Sequence, residues 1–147
     1  PFDMSIDNDG KIGFWNNVKT FPGITIGGDG TNQGLYIADG ALVLDQNVVT
    51  CAATTTFDME AATNHIVTLT QNTTLAVSNL TNHLGQSGVI VLKQDATGGR
   101  TVTLASEMKT PRGDSVSFET AANSTSLISY YIVSTSLVAI NYMGNFS

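Results

Sequence analysis

Asp58 and Glu60 stand two residues apart, which on an extended strand turns both carboxylates to one face. Two carboxyl groups roughly 5–9 Å apart can hydrolyse a glycosidic bond, one donating a proton while the other attacks or activates water. Such centres grip their sugar with aromatic rings, and here only Phe57 adjoins the pair. Asp7-Asn8-Asp9-Gly10 has part of a calcium loop, with Gly10 in the sixth place, Asp7 in the third and Asp9 in the fifth. Ser5 and Asn16 then occupy the places that need an Asp and a bidentate Glu, so the stretch reads as a polar turn.

Gly27-Gly28-Asp29-Gly30-Thr31-Asn32-Gln33-Gly34 lacks both the GxGxxG spacing and a GK[ST] ending. No helix follows whose N-terminus could hold a phosphate, and the stretch reads as a flexible loop. His65 and His83 are the only histidines, and neither has a second His or Cys at ligand spacing. Ser87 sits in GQSG, which is not a nucleophile elbow. Cys51 is the sole cysteine, which excludes an intrachain disulfide framework and fits a small buried hydrophobe. The sequons at Asn72, Asn79, Asn123 and Asn145 read as turn chemistry in a Thr/Asn-rich chain. These residues supply no catalytic centre, no metal site and no cofactor loop.

The elements available to position any site are strands. In Val89–Leu104, VIVLKQDATGGRTVTL, two β-branched runs flank a polar turn, and Gly98-Gly99 can take the positive φ angles of a tight reversal. The stretch predicts a β-hairpin whose turn is built by Asp95, Gly98, Gly99 and Arg100. Short alternating runs at His65–Thr70, Leu75–Asn79, Ser126–Val133 and Leu137–Met143, separated by turn signals, predict an all-β fold. We expect an antiparallel, jelly-roll-like β-sandwich over residues 51–147.

Residues 1–50 predict an extended arm with short strands. Eight of the fourteen glycines lie between Gly10 and Gly40, and few side chains remain to offset the ordering entropy. The apolar residues Phe14, Trp15, Ile24, Ile26, Leu35, Tyr36 and Ile37 are the arm's expected assembly contacts. Val89–Leu92 and Leu127–Val133 are apolar on both faces, so the second face calls for a cover from the arm or another subunit. A homotrimer is the expected association.

With 41% apolar and 12% charged residues the chain suits a globular β protein. Residues 1–60 carry eight acids against Lys11 and Lys19, whereas the acids and bases of 61–147 cancel, giving −6 in all. No basic patch exists to displace counterions from a phosphate backbone, which argues against nucleic acid. No apolar run approaches the ~20 residues that cross a bilayer, so no membrane insertion is expected. Pro1-Phe2-Asp3 does not open a signal peptide, and Pro1 fits a start from which an initiator Met was removed, or a fragment.

Several runs are less generic: LTQNTTL at Leu69–Leu75, Asn79-Leu80, GQSG at Gly85–Gly88, KQDATGGRTVTL at Lys93–Leu104, Ala121-Ala122-Asn123 and Leu127–Tyr130. Through them the chain from His65 onward resembles a domain at the C-terminus of bacteriophage fibre-like and other virion surface proteins, especially of marine and cyanobacterial phages. The resemblance implies a β-sandwich on the virion surface, made in the host cytoplasm without cofactors, and it transfers no catalytic residue. Its first expectation is a trimeric capsid decoration (cement) protein, clamping itself to other virion proteins such as the major capsid protein. Its second is a tail-fibre tip whose loops at Ser106–Ser117 and Gly85–Gly88 meet a host surface glycan or protein.

Overall fold

Phe57, Val67, Leu69, Leu75, Ile90, Leu92, Ile128, Ile132 and Val138 are spaced so that polar or half-covered residues fall between them, and all are buried in one apolar cluster. That period of two is what a pleated strand with one covered face produces. A computed structural model of the protein describes residues 3–6, 12–15 and 44–146. The chain divides into two units, Pro1–Leu42 and Val43–Ser147.

In the first unit, β1 (Asp3–Ile6) and β2 (Ile12–Trp15) pair antiparallel, with Met4 opposite Phe14 and Asp3 opposite Trp15. Phe14 and Trp15 therefore lie on β2. Ile24, Ile26, Leu35, Tyr36 and Ile37 lie outside the described residues, as do the calcium-like turn at Asp7–Gly10 and the glycine loop at Gly27–Gly34.

The second unit holds β3 (Gln46–Val49), β4 (Thr54–Asp58), β5 (Asn64–Leu69), β6 (Thr73–Ser78), β7 (Ser87–Gln94), β8 (Val102–Leu104), β9 (Met108–Lys109), β10 (Thr125–Ser134) and β11 (Leu137–Phe146). Strands β3, β5 and β7 enter one sheet in parallel, while β4, β6 and β8 enter a second sheet, also in parallel. The chain thus winds three times between the sheets, one strand in each per winding. After the third winding, β10 and β11 form an antiparallel hairpin on β7, and β9 closes the edge beside β11. The final orders are β3-β5-β7-β10-β11-β9 and β4-β6-β8.

The all-β expectation therefore holds, and the pairing expectation needs correcting: both sheets contain parallel strands, and only the β7-β10-β11 part is antiparallel. The central hairpin needs the same correction. Strand β7 ends at Gln94 in the larger sheet and β8 begins at Val102 in the smaller one, so Asp95–Thr101 is a crossover between sheets. Strand β3 pairs with β5, which assigns Gln46–Val49 to the second unit and not to the arm.

The two outward faces differ in chemistry. On the small sheet, Thr54, Thr74 and Thr103 stand in register, and the Oγ1 atoms of Thr74 and Thr103 are 2.8 Å apart. On the large sheet, Val48, Ile66, Val91, Leu127 and Met143 stand in register across five strands. Their sequence neighbours His65, Val67, Ile90, Leu92, Ser126 and Ile128 are buried, so this row faces out. Parallel sheets usually have both faces covered, and here one apolar face has no cover from the described residues.

Candidate functional site

The sequence-predicted turn at Asp95–Arg100 folds into a clasp. The Asp95 carboxylate accepts the Thr97 and Gly98 backbone N–H groups at 3.0 and 2.8 Å. Its other oxygen takes the Arg100 guanidinium at 2.8 and 3.2 Å, and this partner holds the Asp95 carboxyl below the usual aspartate range. Gln94, buried at the end of β7, donates to the Arg100 and Glu119 carbonyls and accepts the Arg100 N–H. Gly98 and Gly99 take φ of 68° and 74°, and the Gly99 N–H reaches the Thr120 carbonyl at 2.7 Å. Asp95, Gly98, Gly99 and Arg100 therefore tie two loops of the sandwich together. The Asp95 and Arg100 side chains are spent on structure.

Asp58 and Glu60 do not share a strand. Asp58 ends β4 and Glu60 lies in the turn beyond it. The Asp58 carboxylate accepts Asn79 Nδ2 at 2.7 Å and the Glu60 N–H at 3.0 Å, and the Asn79 bond in particular lowers its pKa. Ser87 opens β7 at the surface. Cys51 is half-buried: burial pushes its thiol up, but hydrogen bonding from Thr70, Gln71 and Thr55 outweighs this and leaves the pKa lowered.

His65 is fully buried on β5 against Phe57, their ring centroids 5.5 Å apart. Neither of its ring nitrogens has a hydrogen-bond partner among the described residues, and desolvation lowers its pKa against weaker opposing pulls from the Ala62 backbone and the Asp58 charge. Among the described residues no three His, Cys, Asp or Glu side chains gather at metal-binding distance.

The two loops expected to meet a host differ in what they offer. Gly85–Gly88 is fastened down, with Gly85 N–H on the Ile132 carbonyl and Ile132 N–H on the Gln86 carbonyl, both at 2.9 Å. Beyond β9 the chain turns through a short 3₁₀ turn at Pro111–Gly113 and bows away from β11. The gap is a cleft of about 340 Å³ between Thr110–Ser117 and Ile140–Tyr142 of β11. A second depression of about 250 Å³ shares Ile140 and Asn141 and includes Tyr131, which is half-exposed. Tyr142 is pinned: its hydroxyl accepts the Glu119 N–H at 2.9 Å, lies 3.1 Å from Ser126 Oγ, and its ring meets Phe118 edge-on at 4.9 Å.

Residues 43–134, more than half of the chain, match the family described as a putative phage tail fibre C-terminal domain. The chain belongs to that family. That family is of a structural, non-enzymatic kind, and membership in it makes the chain a virion-associated protein. No curated protein and no solved structure matches it. The matched stretch takes in all three windings and β10, while β11, one wall of the cleft, lies beyond it. The sequence pointed to the Ser106–Ser117 loop but missed Asn141 and Tyr142, because a β11 residue opposite a loop thirty positions earlier leaves no local signal. The one available cue was Pro111-Arg112-Gly113, whose turn geometry forces the chain off the sheet.

Proposed function

We propose that this chain is a distal module of a phage tail fibre that packs against copies of itself through the apolar outer face of its large sheet and contacts the host surface with its loops. The observation that carries the reading is the family match over residues 43–134. The row Val48–Ile66–Val91–Leu127–Met143 supports self-association, because Val48 is 78% exposed and Met143 42% exposed in the lone chain. Burying such side chains stabilises by ~1.5–3 kcal/mol each when complete. A closed ring of three copies is the arrangement we expect, with the threonine-lined sheet turned to solvent.

Decoration of a capsid, the first expectation from the sequence, has no observation among the described residues that favours it over the fibre reading. Purified protein should block adsorption of its phage to host cells in a dose-dependent way. Unimpaired adsorption at saturating protein, together with a lowered heat-release threshold in particles that lack it, would overturn the fibre reading in favour of the head.

A further inference from the structure

Among the described residues, the only buried side-chain nitrogen or oxygen atoms without a hydrogen-bond partner are the two ring nitrogens of His65. Buried polar atoms in a settled core are nearly always paired, so these two call for a reason. We propose that His65 is the proton-sensitive element of a latch between the turn after β4 and the Gly85–Gly88 loop, and that mild acid opens this corner while both sheets stay folded. The inference goes beyond the fibre reading and does not depend on it.

The latch is built on two consecutive carbonyls just ahead of β5. Gln86 Nε2 donates to the Ala62 carbonyl at 3.2 Å and to the Tyr130 hydroxyl at 3.0 Å. That hydroxyl donates in turn to the Thr63 carbonyl at 2.6 Å. Asn64 Oδ1 accepts the Val89 N–H at 3.1 Å, and Gly88 leaves no room for a side chain beside the Thr63 carbonyl. Gly85 and Gln86 are themselves fastened to Ile132 of β10. Residues 62–64 are thus tied to 86–89 and to β10, and His65 is the next residue along.

The surroundings of His65 suit a neutral imidazole only. In register, β3 places Asn47 and β7 places Ile90 beside it, and β4 sets Phe57 against its ring. Strand β10 contributes Tyr130 to the latch, and burial pushes that phenol up, which keeps it neutral. The charge that bears on His65 is Asp58 at the end of β4, while His83, in the loop after β6, acts on Asp58.

An imidazolium carries two N–H donors. The Ala62 backbone is the local acceptor that favours it, and the Ala62 carbonyl already serves Gln86. The second donor would face apolar core, a cost that water must relieve. Strand β5 cannot move aside to admit water, being paired with β3 on one edge and β7 on the other. The turn can yield: Glu60 and Ala61 are exposed, and the Ala62 and Thr63 carbonyls are held only by the Gln86 and Tyr130 side chains. Since the folded pKa of His65 is lowered, the latch holds above the ordinary histidine value of about 6.5 and is lost as pH falls toward the folded one.

The experiment is amide hydrogen exchange of the full chain at pH 7 and pH 5, with rates corrected for their intrinsic pH dependence. Protection at 60–64 and 85–88 should fall roughly tenfold or more at the lower pH, while Val91, Leu92 and Ile128 keep theirs. His65→Leu should hold the corner closed at pH 5, and Gln86→Ala should open it already at pH 7. NMR titration of the wild-type imidazole serves if a variant does not fold: His65 should take up its proton over the range in which the corner opens. A corner equally protected at both pH values, or protection lost throughout both sheets, would overturn the proposal. So would the same acid opening in folded His65→Leu, or an imidazole that stays neutral while the corner opens.

Discussion

His65 shows how much one buried side chain can govern. Its imidazole has no hydrogen-bond partner among the described residues and lies against Phe57, so the protonated form is disfavoured in the folded state. The unfolded chain takes up a proton near the ordinary histidine pKa of about 6.5, which the folded chain resists. The stabilising contribution is therefore present above that pH and is lost as pH falls toward the depressed folded value, by up to ~1.4 kcal/mol per pH unit. The unfolding midpoint should drop between pH 7 and 5, and His65→Leu should flatten that drop while costing little at pH 7. An equally steep fall in the variant would assign the acid sensitivity elsewhere. Asp58 and Asp95, whose pKa values are lowered from about 3.8, lose their contributions only below that range and do not confuse the test. The sequence placed His65 at the start of a strand in a structural role; that it would be stranded without a partner depends on β4 supplying Phe57 across the core, which no local pattern encodes.

At the scale of elements, strand positions were legible and strand partners were not. Both apolar runs of Val89–Leu104 are strands, yet the polar stretch between them spans Asp95–Thr101, longer than a tight hairpin loop. Two interactions direct β8 to the smaller sheet: Asn72 Oδ1 accepts the Thr101 N–H at 2.9 Å, and Thr73 N–H donates to the Thr101 carbonyl at 3.0 Å. Three glycines, Gly88 within β7 and Gly98 and Gly99 in the crossover, make the arrangement testable. A methyl at Gly88 would strike the Thr63 carbonyl and the Tyr130 hydroxyl, which are themselves hydrogen-bonded to each other. A methyl at Gly98 would meet Ala122 and Thr120 backbone atoms at 2.6–2.9 Å on a φ of 68°. Gly99 shares the positive φ but faces open space. Gly88→Ala and Gly98→Ala should each cost about 3 kcal/mol in urea unfolding and Gly99→Ala about 1 kcal/mol, the backbone term alone. Similar losses at all three would mean that crowding is not what selects glycine there.

For the whole molecule, the excess of apolar strand surface was readable from Val89–Leu92 and Leu127–Val133, since both odd and even positions are greasy. Its arrangement as one straight row needed the register of five strands. Leu127→Lys places a charge in the middle of that row without touching the core. The wild-type chain should sediment as an oligomer and the variant as a folded monomer with unchanged circular dichroism; a wild-type monomer at micromolar concentration would remove the basis for self-packing. The windings carry one more implication. Because each circuit of the chain adds a strand to both sheets in chain order, the height of the stack is a count of circuits, and a spliced-in circuit would raise it by about 4.8 Å. Nature or an engineer could therefore lengthen such a module in whole steps while keeping its wet side wet and its sticky side sticky.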